Sequence, residues 1–155
     1  MAEEIILTPS GKQKIEEELQ QLRSVEMPAL SERIRQARAL GDLSENFDYQ
    51  DSKRQQGFIA GRIADLTAIL ERARIVEETV GGDNVGLGST VALRDLDYDD
   101  EITYTLVDPV SADPANDRIS ISSPVGKALM GAKVGDNIEV DIPSGKARYE
   151  VLGIS

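Results

Sequence analysis

The sequence predicts an α+β protein: an N-terminal antiparallel α-helical coiled-coil hairpin, then a small, mostly antiparallel β-sheet domain with one short helix. Three observations carry this expectation. Apolar residues of the first half recur three or four apart, those of the second half alternate, and the glycine-bearing stretch EETVGGDNVGLGS separates the two patterns. The expected organisation is a coiled-coil domain over 1–76, a linker over 77–88 and a second domain over 89–155.

The first helix begins where Thr8 can cap and Pro9 suits the first helical position. Its apolar stripe runs Ile15, Leu19, Leu22, Leu30, Ile34, Ala37 and Leu40. Pro28 interrupts the run, and one bent helix is expected across it. A second stripe, Tyr49, Lys53, Gln56, Ile59, Ile63, Leu66, Leu70, Ala73 and Val76, is narrow enough for a coiled-coil seam. Gly57 and Gly61 in this helix are expected to admit a partner helix closely. Arms of about 30 residues would make a rod roughly 45 Å long, reversing at GDLSENF.

In the second half STVALRDL, EITYTLV, RISIS, NIEVDI and ARYEVLGI read as five strands. The turn Tyr98-Asp99-Asp100 joins the first two, and Pro143-Ser144-Gly145 the last two. A short helix is expected between them, with Ser123 as cap, Pro124 at its first position and Gly131 just past its end.

Composition narrows the chemistry. There are 155 residues, with no histidine and no cysteine, which excludes histidine bases, thiol nucleophiles, zinc fingers and disulfides. A formal net charge of −11 argues against a free-standing duplex-DNA binder. The acidity is uneven: 1–76 hold 11 basic and 13 acidic side chains, whereas 77–155 hold 6 and 15. The opening MAEEIILTPS lacks the pattern of a secretory signal, and no run of about 18 apolar residues exists. The expected setting is the cytoplasm, with no membrane partner.

The hairpin tip stands out. GDLSENFDYQD gathers Asp42, Glu45, Asp48 and Asp51. Asp42 and Glu45, three apart, could share a hard cation such as Mg²⁺, which uses one or two protein carboxylates. The same pair is also a capping-box pattern, so spacing alone leaves both readings open. Below the tip Arg33, Arg35, Arg38, Lys53 and Arg54 form a basic collar suited to a phosphodiester chain, or a solvated face of exposed ion pairs. Tyr49 lies on the seam stripe; Phe47 lies off it, as an exposed aromatic that could meet a nucleobase or a partner's wall.

GDLSENFDYQDSKRQQGFIAGRI resembles the tip motif of the bacterial transcript-cleavage factors of the GreA and GreB family, and SSPVGKALMGAKVGD resembles the short-helix segment of that family's C-terminal module. The resemblance extends from about Ile5 to Ile154. It implies an FK506-binding-protein-like second domain that grips the rim of the RNA polymerase secondary channel while the coiled coil passes down it. Asp42 and Glu45 match the tip acids that help hold a Mg²⁺ jointly with the polymerase, none being bound by the free protein. The polymerase would then cleave the backtracked RNA 3′ end. The protein would be a monomeric activator of another enzyme's hydrolysis and not itself a nuclease.

On the same resemblance Arg38 and Lys53 match the basic patch that steers RNA, Lys53 lacking the bidentate fork of a frequent arginine. Ser44, Asn46, Phe47 and Tyr49 are expected to support the tip, although Phe47 replaces a usually small residue. Ser123 and Pro124 match positions near the polymerase-binding surface. A family paralogue that enters the channel and inhibits is the alternative, which retention of both tip acids disfavours. A proline-isomerase or chaperone module is disfavoured too: the second half offers Tyr98, Tyr104 and Tyr149 but no Trp or Phe to line a pocket.

Overall fold

The computed structural model describes residues 3–41, 45–79 and 82–155. Its contacts divide the chain into two compact units: Lys12–Ala73 form the body of one, and Ile5–Gly11 join Arg74–Ser155 in the other.

The first unit consists of two helical arms. The outgoing arm comprises α1 (Pro9–Gln21), a π-helical segment (Leu22–Glu26) and α2 (Met27–Ala39); the return arm is α3 (Phe47–Arg72). The expected single helix across Pro28 is present, and the π segment explains how. Leu22 and Leu30 are eight residues apart, one more than a seam repeat allows, so an unbroken α-helix would rotate Leu30 out of the interface. One π turn absorbs the extra residue. Its signature is the Met27 N–H donating to the Leu22 carbonyl, five residues back, while Gln21 and Met27 keep right-handed helical dihedrals on either side. Pro28 sits in the first turn after the π segment, where its missing N–H costs least.

The seam buries Ile15, Leu19, Leu22, Leu30, Ile34 and Ala37 from one arm and Leu66 and Ser52 from the other. Near the tip the fully buried seam residues are small, Ala37 and Ser52, which lets the two backbones approach. Across the arms Arg62 forks onto Glu18 at 2.8 and 3.0 Å, and Arg23 donates to the Thr67 hydroxyl at 3.1 Å. Two expectations fail here. Gly57 and Gly61 are exposed, and nothing lies within 4 Å of where a Cβ would stand, so neither serves close helix packing. The second stripe also ends sooner than its periodicity implied. Ala73 turns extended, and Ala73–Ile75 form a strand, β2, that pairs with β1 (Ile5–Leu7). Val76 packs against the core of the second unit instead of the coil.

In the second unit β3 (Thr90–Asp95), β4 (Asp100–Val107), β5 (Arg118–Ser120), β6 (Asn137–Ile142) and β7 (Gly145–Ile154) build, among the described residues, a sheet of order β5-β4-β3-β7-β6. The expected five strands are all there. One pairing, β4 with β5, is parallel, because the chain crosses back through two short 3₁₀ turns, Pro109–Ser111 and Pro114–Asn116. Val91, Leu93, Leu106, Val140 and Val151 face a common core that α4 (Pro124–Leu129) covers with Leu129. Val85 and Leu87 belong to that core, and the Val85 N–H donates to the Ala132 carbonyl at 2.8 Å. The stretch 82–88 is therefore packed structure, not the linker its glycines suggested.

The start of the chain is tied into this unit by a buried carboxyl group. Asp108, with no exposed surface, accepts from the Thr8 N–H at 2.7 Å, the Thr8 hydroxyl at 2.8 Å and the Ser111 N–H at 3.0 Å. Thr8 in turn caps α1, its hydroxyl accepting from the Gly11 N–H at 3.0 Å. A Cβ at Gly11 would stand 2.0 Å from an Asp108 oxygen, so the close approach requires glycine there. Asp108→Ala leaves buried donors unpaired and should lower the stability of this unit by at least about 2 kcal/mol. Thermal unfolding checks this; an unchanged midpoint would contradict it.

Candidate functional site

The described residues that frame the tip are Leu40 and Gly41 on the outgoing side and Glu45, Asn46 and Phe47 on the return side. Asp42 and Ser44 lie outside the described residues. Glu45 falls in a bend ahead of α3, is exposed, and makes no hydrogen bond or ion pair to a described residue. The cap of α3 is Asn46, whose side-chain oxygen accepts from the Tyr49 N–H at 3.0 Å. A capping box over Asp42 and Glu45 would need Glu45 inside the first turn of the helix. The helix starts two residues later, so that reading of Glu45 is overturned, and its carboxylate pairs with no described residue.

Asn46 does more than cap. Its side-chain nitrogen donates at 2.6 Å to the carbonyl of Ala37, in the last turn of α2, which also accepts from the Leu40 N–H at 3.1 Å. One amide thus holds the outgoing helix with its donor and the return helix with its acceptor. The sequence reading placed Asn46 among tip-supporting residues without either bond. An Asn directly ahead of an apolar-periodic run is the usual N-cap signal, and the Asp42–Glu45 pattern obscured it.

The five-membered collar separates into two kinds of residue. Arg33 reaches across the arms to Asp48 with a forked pair at 2.8 and 3.1 Å and lies 3.9 Å from Asp51. Arg54 pairs with Asp51 at 2.6 Å, and Arg35 with Glu32 at 2.6 Å. These pairs account for Asp48 and Asp51, which are not additional tip acids. The Arg54 guanidinium holds the Asp51 carboxyl below the usual carboxylate range, with Arg33 adding to the effect. Arg38 and Lys53 form no ion pair with a described residue. The Arg38 guanidinium lies 5.8 Å from the centroid of the Tyr49 ring, and Lys53 donates to the neutral Gln56 amide at 3.1 Å.

Helical spacing turns this division into two flanks. Tyr49 and Lys53, four apart, share one side of α3, and Arg38 joins them from α2. Asp51 and Arg54 lie on the other side, with Phe47, which is 86% exposed. Among the described residues, one flank of the tip has its charges paired and the opposite one carries two cations without an ion-pair partner. Phe47 is the exposed aromatic that its position off the seam implied, but it faces away from that cationic flank.

In the second unit Ser123 caps α4 as expected, its hydroxyl accepting from the Gly126 N–H at 3.1 Å and donating to the Ser120 carbonyl at 2.6 Å. Pro124 is exposed at the first helical position, and Gly131 closes the segment at φ +83°. Gly126 packs so tightly that a Cβ would lie 2.0 Å from the Ser120 carbonyl oxygen. Asn46 in one unit and Ser123 in the other are thus each held by local capping bonds.

Comparison with known proteins agrees with this architecture. A family profile described as Transcription elongation factor, N-terminal, matches residues 5–75, and one described as Transcription elongation factor, GreA/GreB, C-term, matches 79–155. A Transcription elongation factor GreA of Thermoanaerobacter pseudethanolicus is 46% identical over 155 residues, covering 99% of each chain. The chain belongs to the GreA/GreB family. A GreA of Caldanaerobacter subterraneus subsp. tengcongensis has the same identity and coverage. Among solved structures, GreA factor homolog 1 of Thermus thermophilus is 31% identical, over 98% of this chain and 99% of that one, with a TM-score of 0.46. In this GreA/GreB chain the two profiles meet between 75 and 79, just after the strand that ends α3.

The paired flank has a definite pH signature. A carboxyl whose folded pKa is depressed contributes stability above its unfolded value and loses that contribution as pH falls through the folded one. Asp51 should therefore titrate below 3.8, and Arg54→Gln should move its midpoint upward. Carboxyl-carbon chemical shifts measure this directly; a wild-type midpoint at or above 3.8 would contradict the pairing.

Proposed function

We propose that this transcription elongation factor is an accessory protein of RNA polymerase that stimulates the enzyme's own cleavage of backtracked RNA 3′ ends. In this reading the C-terminal unit docks at the rim of the secondary channel through the surface around Ser123 and Pro124, and the helical hairpin enters the channel. Removal of the displaced 3′ segment leaves a new end in the catalytic centre, and an arrested complex resumes elongation. The protein acts in the cytoplasm as a monomer and is not itself the hydrolase.

The observation that carries this reading is the state of the tip charges. Asp48 and Asp51 are engaged by arginines, whereas Glu45 is exposed and without a described partner, and Arg38 and Lys53 carry the uncompensated positive charge. A tip carboxylate and two cations that pair with no described charge suit a phosphodiester and its hydrolysis.

The donor set also fits a shared metal. Among the described residues no group of three or more acidic side chains is placed to hold a metal ion. Asp42 and Glu45 are two carboxylates, within the one or two that Mg²⁺ ordinarily takes from a protein. They would hold the ion jointly with the polymerase, and when bound it supplies an activated water and charge stabilisation at the phosphoryl oxygens. The chain's own share is to present Glu45 and Asp42 and to hold RNA phosphates by Arg38 and Lys53. The stack on Tyr49 restricts the Arg38 side chain and so reduces the conformational freedom lost when it binds.

Asp42→Asn combined with Glu45→Gln should abolish stimulated cleavage on a purified, backtracked polymerase while leaving polymerase binding nearly unchanged. Unchanged cleavage by the double variant would remove the tip acids from the chemistry. A wild-type chain that binds polymerase and suppresses synthesis without releasing RNA fragments would instead make it a channel inhibitor.

A further inference from the structure

The reach of the Glu45 carboxylate depends on where α2 ends and where α3 begins. Two helices packed along a seam normally fray at their free ends, since the last carbonyls of one and the first N–H groups of the other have no partners. Here the carbonyl of Ala37 accepts from the Leu40 N–H at 3.1 Å and from the Asn46 side chain at 2.6 Å, and the Arg38 carbonyl accepts from the Gly41 N–H at 3.3 Å. On the return side the Asn46 side-chain oxygen takes the Tyr49 N–H, and its own carbonyl takes the Gln50 N–H at 3.0 Å. Asn46 is the one residue among these that bonds to both helix ends.

We propose that Asn46 is a positioning residue for the cleavage reaction: by tying the last turn of α2 to the first turn of α3, it fixes the point from which Glu45 is presented. This rests on the function proposed above. The seam leaves room for the tie, because the buried residues nearest the tip are Ala37 and Ser52, and a longer pair would hold the backbones beyond the reach of an Asn side chain. Glu45 precedes Asn46 directly, so a shift at Asn46 is passed to the Glu45 backbone without an intervening joint. Misplacement of a reacting group by about 1 Å can cost a hundredfold in rate.

The two halves of the amide are chemically separable. Asn46→Asp keeps the acceptor that caps α3, since Asn and Asp cap equally well, but loses the donor and sets an oxygen against the Ala37 carbonyl. Asn46→Ser keeps a capping oxygen, adds no charge, and is too short to reach Ala37. Each full-length variant is compared with the wild type on a backtracked polymerase, by maximal cleavage rate and by the factor concentration giving half that rate. Backbone amide order parameters of the free proteins provide a second readout that does not involve the polymerase.

Both variants should lower the maximal rate on the order of tenfold to a hundredfold, with the half-saturating concentration unchanged. Both should also lower the order parameter of the Glu45 amide while those within α3 stay as they are. A wild-type maximal rate in either variant overturns the inference. So does a loss confined to the half-saturating concentration, which would place Asn46 in docking. If the wild-type chain itself releases no RNA, the function proposed above fails, and an unaltered Glu45 order parameter in the variants then overturns the positioning role separately.

Discussion

Two helices must stay side by side to the point where the chain reverses, and the bond from Asn46 to the Ala37 carbonyl is where that constraint is met. A carbonyl in the last turn of a helix usually turns to water. Here the Ala37 carbonyl, beside accepting from Leu40 of its own arm, accepts from a side chain that starts the opposite arm. The seam below makes the bond reachable through small buried residues, and Arg33 reinforces it on one flank by forking onto Asp48. The remaining charges near the tip follow from this arrangement. Acids along the return arm meet arginines, Glu45 ahead of the cap does not, and Arg38 rests on an aromatic face instead of a carboxylate.

Periodicity was enough to read both arms, the five strands and the helix capped by Ser123, because each rests on local spacing and on capping or turn chemistry. What it could not show was anything decided by distant contacts. The π turn follows from a stripe one residue out of phase, a fact present in the spacing of Leu22 and Leu30 but easily attributed to Pro28 alone. The strand Ala73–Ile75 continues the helical stripe in sequence, and only its partner Ile5–Leu7, some 70 residues away, draws it out of the helix. The glycines of 82–88 resemble a linker, yet Val85 and Leu87 between them are core residues.

At the candidate site the resemblance names residues, and the sequence does not show their bonds. Arg38 and Lys53 were singled out among five cations by resemblance, and the structure supplies a physical distinction between those two and the rest. Surface ion pairs are individually weak, but here they decide which charges remain available. The role of Asn46 was not legible, because an amide that bridges two helices leaves no periodic signal, and an Asp followed three residues later by Glu offered a more familiar cap.

The account stands on the tip of this chain coming to the metal of the polymerase's catalytic centre. Ferrous iron put in place of Mg²⁺ in a backtracked polymerase reduces added hydrogen peroxide to hydroxide and a short-lived hydroxyl radical at that centre, and the radicals cut any protein chain beside it. With this factor bound and labelled at one terminus, the account predicts scission confined to residues 41–47. Cuts near 123–124, or an intact chain in a complex shown to contain it, would contradict it.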